Sequence, residues 1–214
     1  MTIRAESLRR ELRELTVKRG RGDVPERAFQ KQNEDLTVAL CRQLVEDRLS
    51  AGERILAEHH VVRAHTKLAG SVLRESEQES IALLATDQRL FRLTSRHQPD
   101  EPALFAAGGR DQIAEVPRGR ISGMAVRRQV RSGEILVGVA VVAAAVLFGP
   151  WLHVTGTALA LLGGAGVLHG LLVPTRWAEI VGPGPGEPDF RIYALRKRSA
   201  KKLMGVLSGG GGEG

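Results

Sequence analysis

The chain has 214 residues, a formal charge of +7 and a pI near 10.3, enough for one domain of ordinary size with extras. Aromatic residues make up 4%, too few to stack along single-stranded nucleic acid. Residues 1–50 carry eleven basic against nine acidic side chains and are no nucleic-acid arm, so nucleic acid is not an expected partner. The single cysteine, Cys41, excludes an intramolecular disulfide, and the start of the chain, charged from Arg4 onward without an apolar core, does not read as a signal peptide.

Leu8, Leu12 and Leu15 recur at spacings of four and three, which predicts a short amphipathic helix that Gly20 and Gly22 stop. Asp23 is placed to cap a second helix, with Pro25 in its first turn and Glu26 at the capping-box position. That helix carries Phe29, Leu36, Leu40 and Leu44 on one side and is expected to run to about Leu49, with Cys41 as a small buried side chain on the stripe. The segment Leu12–Leu36, with Glu26, Phe29, Lys31 and Leu36 after a glycine-containing break, resembles the SHOCT helical hairpin. The resemblance implies oligomerisation, and residues 1–50 are taken as a module for self-association or for binding a protein partner.

From Gly52 the pattern changes to short apolar patches: Ile55–Ala57, Val61–Val62 and Ser71–Leu73. Two strand-like runs, Ile81–Ala85 and Leu90–Leu93, flank the polar turn Thr86-Asp87-Gln88-Arg89 and predict a β-hairpin. Ile113–Val116 and Ile121–Val130 read as further strands, with Met124, Val126 and Val130 on one face at period two.

Residues 135–175 contain no Asp, Glu, Lys or Arg, although about a quarter of the chain is charged. They form two apolar segments, Ile135–Leu152 and Gly156–Val173, joined by His153-Val154-Thr155. Each would be roughly 27 Å long as a helix, against roughly 30 Å of hydrocarbon. The reading is a transmembrane hairpin over 135–173, with a re-entrant hairpin or a pair of helices in a large soluble core as rivals. Arg127, Arg128 and Arg131 precede it and Arg176 follows, so the positive-inside rule puts both flanks, and with them both termini, in the cytoplasm. Trp151 at the distal turn and Trp177 at the proximal exit are expected interface anchors. Gly163, Gly166 and Gly170 form a helix-packing face, either between protomers or within the hairpin. His169 has no carboxylate inside the run, and a single histidine there more often bonds to a neighbouring backbone or sits near an interface than marks a proton path.

Trp177–Val181 is strand-like, Gly182–Pro188 reads as a loop, and Asp189–Ala194 as a return strand. Arg196–Leu207 is an expected helix with Leu203, Met204 and Leu207 apolar, and 208–214 a disordered tail. The Gly52-Glu53-x-Ile55-Leu56 start, the Leu84-x-Thr86-Asp87-x-Arg89-Leu90 turn and the Val116-Pro117-x-x-x-Ile121 element are similar to those of bacterial pleckstrin-homology-type domains. The resemblance covers residues 52–131 and 176–207. It implies an α+β fold: a bent antiparallel sheet of about seven strands, one C-terminal helix, and here two transmembrane helices inserted within the sheet.

Residues 117–133 hold Arg118, Arg120, Arg127, Arg128 and Arg131 without an acid; residues 191–202 hold Arg191, Arg196, Lys197, Arg198, Lys201 and Lys202, also without one. Beside an anionic leaflet each basic group contributes about 1 kcal/mol. We therefore take Arg118, Arg120, Arg127, Arg128, Arg131, Arg176, Lys197, Lys201 and Lys202 as candidate contacts for anionic lipid headgroups. Catalytic and metal patterns do not assemble: His59 and His60 would fall on opposite faces of a strand, no cysteine or nearby carboxylate completes a tetrahedral set, and the glycine runs do not open helices. The expectation is a non-enzymatic integral membrane protein without cofactor or metal, in which the domain scaffolds a homo-oligomeric assembly. The alternative is a channel- or transport-like oligomer with the glycine-rich helix lining a path.

Overall fold

The structure is a computed structural model that describes residues 3–69, 72–105, 111–130, 132–152, 154–182 and 190–209. The class is α+β, with antiparallel sheets of four and three strands. The elements in chain order are α1 (Ile3–Gly20), α2 (Glu26–Glu46), β1 (Ile55–Ala69), β2 (Val72–Thr86), β3 (Arg89–His97), β4 (Gln112–Pro117), β5 (Gly123–Gln129), α3 (Ser132–Leu152), α4 (Val154–Leu172), β6 (Thr175–Val181), β7 (Arg191–Ile192) and α5 (Arg198–Ser208). A single 3-10 turn, Arg118–Arg120, separates β4 from β5. Two compact units result: Met1–Met124 with Glu179–Gly214, and Ala125–Ala178.

α1 ends as the glycines predict. Gly22 takes a positive φ of 80°, and the amides of Gly22 and Asp23 return to the carbonyls of Arg19 and Lys18, a Schellman closure. The cap of α2 differs from expectation. Pro25 itself is the N-cap, no side chain caps the helix, and α2 stops at Glu46 rather than Leu49. With Pro25 at the cap, Asp23 lies too far back to reach the first free amides of the helix.

The helices cover one face of the four-stranded sheet, whose order is β1-β2-β3-β4. Leu12 of α1 and Leu40, Cys41, Leu44 and Val45 of α2 pack with Ala82, Leu84, Phe91 and Leu93 of the sheet and with Phe105. The alternate residues Ala57, His59, Ile81, Leu83 and Leu90 are buried on the other face. There the Nε2–H of His59 donates to the Tyr193 carbonyl, which leaves its Nδ1 to accept from Ser199 Oγ on α5. His59 and His60 thus occupy opposite faces. The N-terminal helices are not a separate unit: their apolar stripes close the core of the same chain.

The β2–β3 hairpin falls where the sequence placed it, with Ala85 opposite Leu90. In contrast, β1 and β2 are fifteen residues each, paired from Ile55↔Thr86 to Ala69↔Val72, instead of several short patches. Only Gln78–Ala85 of β2 also pairs with β3. The remainder is a two-stranded ribbon without the apolar alternation of a half-buried strand, and backbone pairing alone marks it. β5 is a strand, but its expected apolar face is open: Val126 and Val130 are exposed. The return strand shrinks to Arg191–Ile192. The expected loop over 182–188 and the tail beyond Gly209 fall largely outside the described residues.

Candidate functional site

α3 and α4 run antiparallel. A Cβ placed on Gly138 would lie 2.6 Å from the Gly163 carbonyl oxygen, and one on Gly163 would lie 2.7 Å from that of Gly138. The two backbones therefore touch, and only glycine fits at either position. Gly156, Gly163 and Gly170 are buried at a spacing of seven, while Ala145 is buried on α3. Gly166 is looser: a Cβ added there would stand 3.7 Å from the Gly138 Cα. The glycine face is thus used within the hairpin. Gly138 carries no packing signal in the sequence, because one glycine in an apolar run has no partner spacing of its own.

For His169 the structure corrects the expectation. Its Nδ1 lies 2.8 Å from Glu134 Oε2, so it does have a carboxylate partner. Glu134 stands one residue before the charge-free run, and the antiparallel register brings it across to the last turn of α4.

The outer surface of the pair is apolar. Leu136, Leu147, Leu161, Leu162 and Leu172 are each about 70% exposed or more. Among the described residues one helix, over Thr155–Leu172, is long and apolar enough to cross a membrane, and 17% of it is buried inside the protein. Among the described residues the apolar stretch of the first helix, Ser132–Phe148, falls short of that length, so two inserted transmembrane helices are not supported. Trp151 as a side chain and the His153 turn lie outside the described residues; Trp177 is half-buried on β6.

Within the unit Met1–Met124 with Glu179–Gly214 the basic residues do not form one patch. Arg118 turns inward: its guanidinium donates to the carbonyls of Thr86 and Val206, holding the last turn of α5 to the β2–β3 turn. A cation at a helix C-terminus also meets the negative end of its dipole. Arg118 is therefore a structural clamp. Lys197 lies at the opposite end of α5, roughly 14 Å away along the helix, 3.5 Å from Glu34 on α2. Arg120, Lys201 and Lys202 belong to the same unit, the two lysines exposed; Arg127, Arg128 and Arg176 are exposed in the unit that holds the hairpin. Arg131 lies outside the described residues.

The motif residues 52–56 and 84–90 meet in space. The Glu53 side chain, fully buried, accepts from Thr86 Oγ1 at 2.6 Å, from Arg89 Nη2 at 2.6 Å and from the Ser50 amide at 2.9 Å. Asp87 accepts the Arg54 amide, and Thr86 Oγ1 accepts the Arg89 amide, closing the turn. The Arg89 hydrogen bond holds the Glu53 carboxyl down at about 2, against the upward push of burial. Spacing within each motif therefore encodes one buried ion pair that locks the start of β1 to the β2–β3 turn.

Comparison with family models, with curated proteins and with solved structures found no match.

A cleft of about 610 Å³ opens at the other end of the four-stranded sheet. Its floor is the sheet face at His60, Val62, Gln78 and His97; its roof is the α1–α2 turn, with Arg19, Phe29, Gln30 and Asn33. The Arg19 guanidinium stacks 4.5 Å from the Phe29 ring centre while pairing with Glu26 at 3.0 Å. His97 is committed: Nδ1–H donates to the Gln98 carbonyl and Nε2 accepts from Ser80 Oγ. Asn33 Oδ1 and His60 Nε2, by contrast, are buried polar atoms without a hydrogen bond among the described residues. Burial pushes His60 down to about 4, outweighing the pull of Glu34, so its ring is neutral at pH 7. In the sequence His60 stands out only as a failed metal ligand and Asn33 not at all, since its position over His60 depends on how α2 crosses β1. Cys41, buried under the same helix, has its thiol raised above the usual range by burial and stays protonated.

Proposed function

We propose that this is a non-enzymatic integral membrane protein, in which a pleckstrin-homology-like domain faces the cytoplasm on an α3–α4 hairpin and scaffolds a homo-oligomeric assembly, with both termini cytoplasmic. The observation that carries the reading is the exposed apolar surface of Thr155–Leu172. A core helix of a soluble protein would bury that surface; here the described residues offer nothing to cover it. Arg127, Arg128 and Arg176 at the base suit an anionic cytoplasmic leaflet. The domain assignment is supported by the four- and three-stranded antiparallel sheets followed by a closing helix, and by the Glu53–Arg89 lock that joins the two motif segments.

The N-terminal stripes are buried in the same chain, so self-association falls to the outer faces of the hairpin rather than to residues 1–50. Deleting residues 1–50 would then remove part of the core and unfold the domain, instead of only separating protomers. The Glu134–His169 pair favours a second reading, an oligomer that conducts a proton or ion along the hairpin. Two measurements decide. Resistance to carbonate and high-salt extraction, with release only by detergent, supports membrane integration; full release without detergent overturns it. Ion or proton flux through purified protein in liposomes would replace the scaffold by the conducting reading.

A further inference from the structure

We propose that the cleft between the α1–α2 turn and the sheet is a binding site for a small organic cation bearing a primary ammonium or guanidinium group. Its volume of about 610 Å³ lies within the range of small-molecule sites. Charge selects the class. Arg19 and Lys197 face Glu26, Glu34, Asp100 and Glu101, two cations against four carboxylates, in a chain whose overall charge is +7. An anion entering here would meet net repulsion, and a cation would enter an acidic pocket on a basic protein.

Hydrogen bonding selects the same class. Asn33 Oδ1 is a buried acceptor that no described residue fills, and His60 Nε2 is a second polar atom lining the cleft without a partner among the described residues. Leaving a buried acceptor unbonded is costly, and an N–H donor from a ligand would recover that cost. A carboxylate or phosphate supplies no donor; an ammonium or guanidinium supplies several. The protein itself shows how the cleft accommodates such a group: the Arg19 guanidinium sits over the Phe29 ring with its charge met by Glu26. The inference is independent of the membrane reading and survives or fails without it.

The test is calorimetric titration of the full-length protein in detergent with agmatine and with putrescine, using succinate as the anionic control. Saturable binding of agmatine with a Kd below about 1 mM, and no binding of succinate, is the expected result. The ¹⁵N resonance of His60 Nε2 should shift on agmatine addition. Asp100→Asn with Glu101→Gln, both on exposed positions, should leave the circular dichroism spectrum intact and weaken agmatine about tenfold. Absence of saturable heat from the wild-type protein up to about 10 mM overturns the proposal. So does succinate binding as tightly as agmatine, or agmatine affinity unchanged in the double variant.

Discussion

At the scale of single residues, two buried charges carry more of the fold than their positions in the sequence suggest. Arg9 is 3% exposed, yet each of its three guanidinium nitrogens has a partner: Nε donates to the Leu104 carbonyl and Nη2 to that of Phe105, both at 2.8 Å, and Nη1 pairs with Glu6. Phe105 has a positive φ of 45°, so this guanidinium holds a left-handed backbone conformation that an aromatic residue rarely adopts. Arg9→Met keeps most of the volume but strands two carbonyls. We expect a loss of roughly 2–4 kcal/mol, read as a lowered midpoint in denaturant unfolding. Glu53 gives a pH signature. Its folded-state carboxyl sits at about 2, below the ordinary 4.5, so its contribution is present above pH 4.5 and is lost as pH falls toward 2. Melting temperatures of the wild type should drop steeply over that interval. Those of Glu53→Gln should start lower at pH 7 and change less with acid; parallel curves would refute the role of the Glu53–Arg89 pair.

At the scale of elements, the glycines of the hairpin separate into two kinds that the sequence could not tell apart. Gly→Ala in an exposed helix gains up to about 1 kcal/mol from propensity. At Gly138 and Gly163 that gain is overwhelmed, because the added methyl meets a backbone carbonyl that cannot retreat without separating the helices. The expected net cost is about 1–3 kcal/mol in each, and a neutral or slightly positive effect at Gly166, where the new contact is an ordinary 3.7 Å. Thermal unfolding in one detergent ranks the three. The same elements show what was legible. Hydrophobic period and turn residues placed α1, α2, the β2–β3 hairpin, β6, α5 and both apolar helices, because each buries or exposes a regular face. The full length of the β1–β2 ribbon was unreadable, since beyond the part that also pairs with β3 its sequence lacks the apolar alternation of a half-buried strand. The cleft was unreadable for a different reason: Asn33, His60 and His97 come from three elements, and only their packing makes them neighbours. The Glu53–Arg89 lock lies between: both motifs could be seen, but not that they bond to each other.

At the scale of the whole molecule, the proposed membrane orientation rests on asymmetry of charge between the two ends of the hairpin. The base carries Arg127, Arg128 and Arg176, whereas the distal end, from Val146 to Thr157, has no charged residue at all. A hairpin that crosses fully must expose its distal turn on the far side of the bilayer; a re-entrant one returns it to the near side or leaves it in lipid. Cysteine labelling distinguishes these cases with little background, because the sole native cysteine is buried with its thiol kept protonated. In intact cells a membrane-impermeant maleimide should label Thr155→Cys from outside, and should label Ser7→Cys and Ser208→Cys only after permeabilisation. Protection of Thr155→Cys in intact cells, with labelling once they are permeabilised, would show that the turn never crosses. Reversal of all three patterns would mean that Arg127, Arg128 and Arg176 do not set the orientation. Replacing those three arginines with glutamate in the Thr155→Cys background should reduce external labelling several-fold if each basic group contributes about 1 kcal/mol to retention at the cytoplasmic surface.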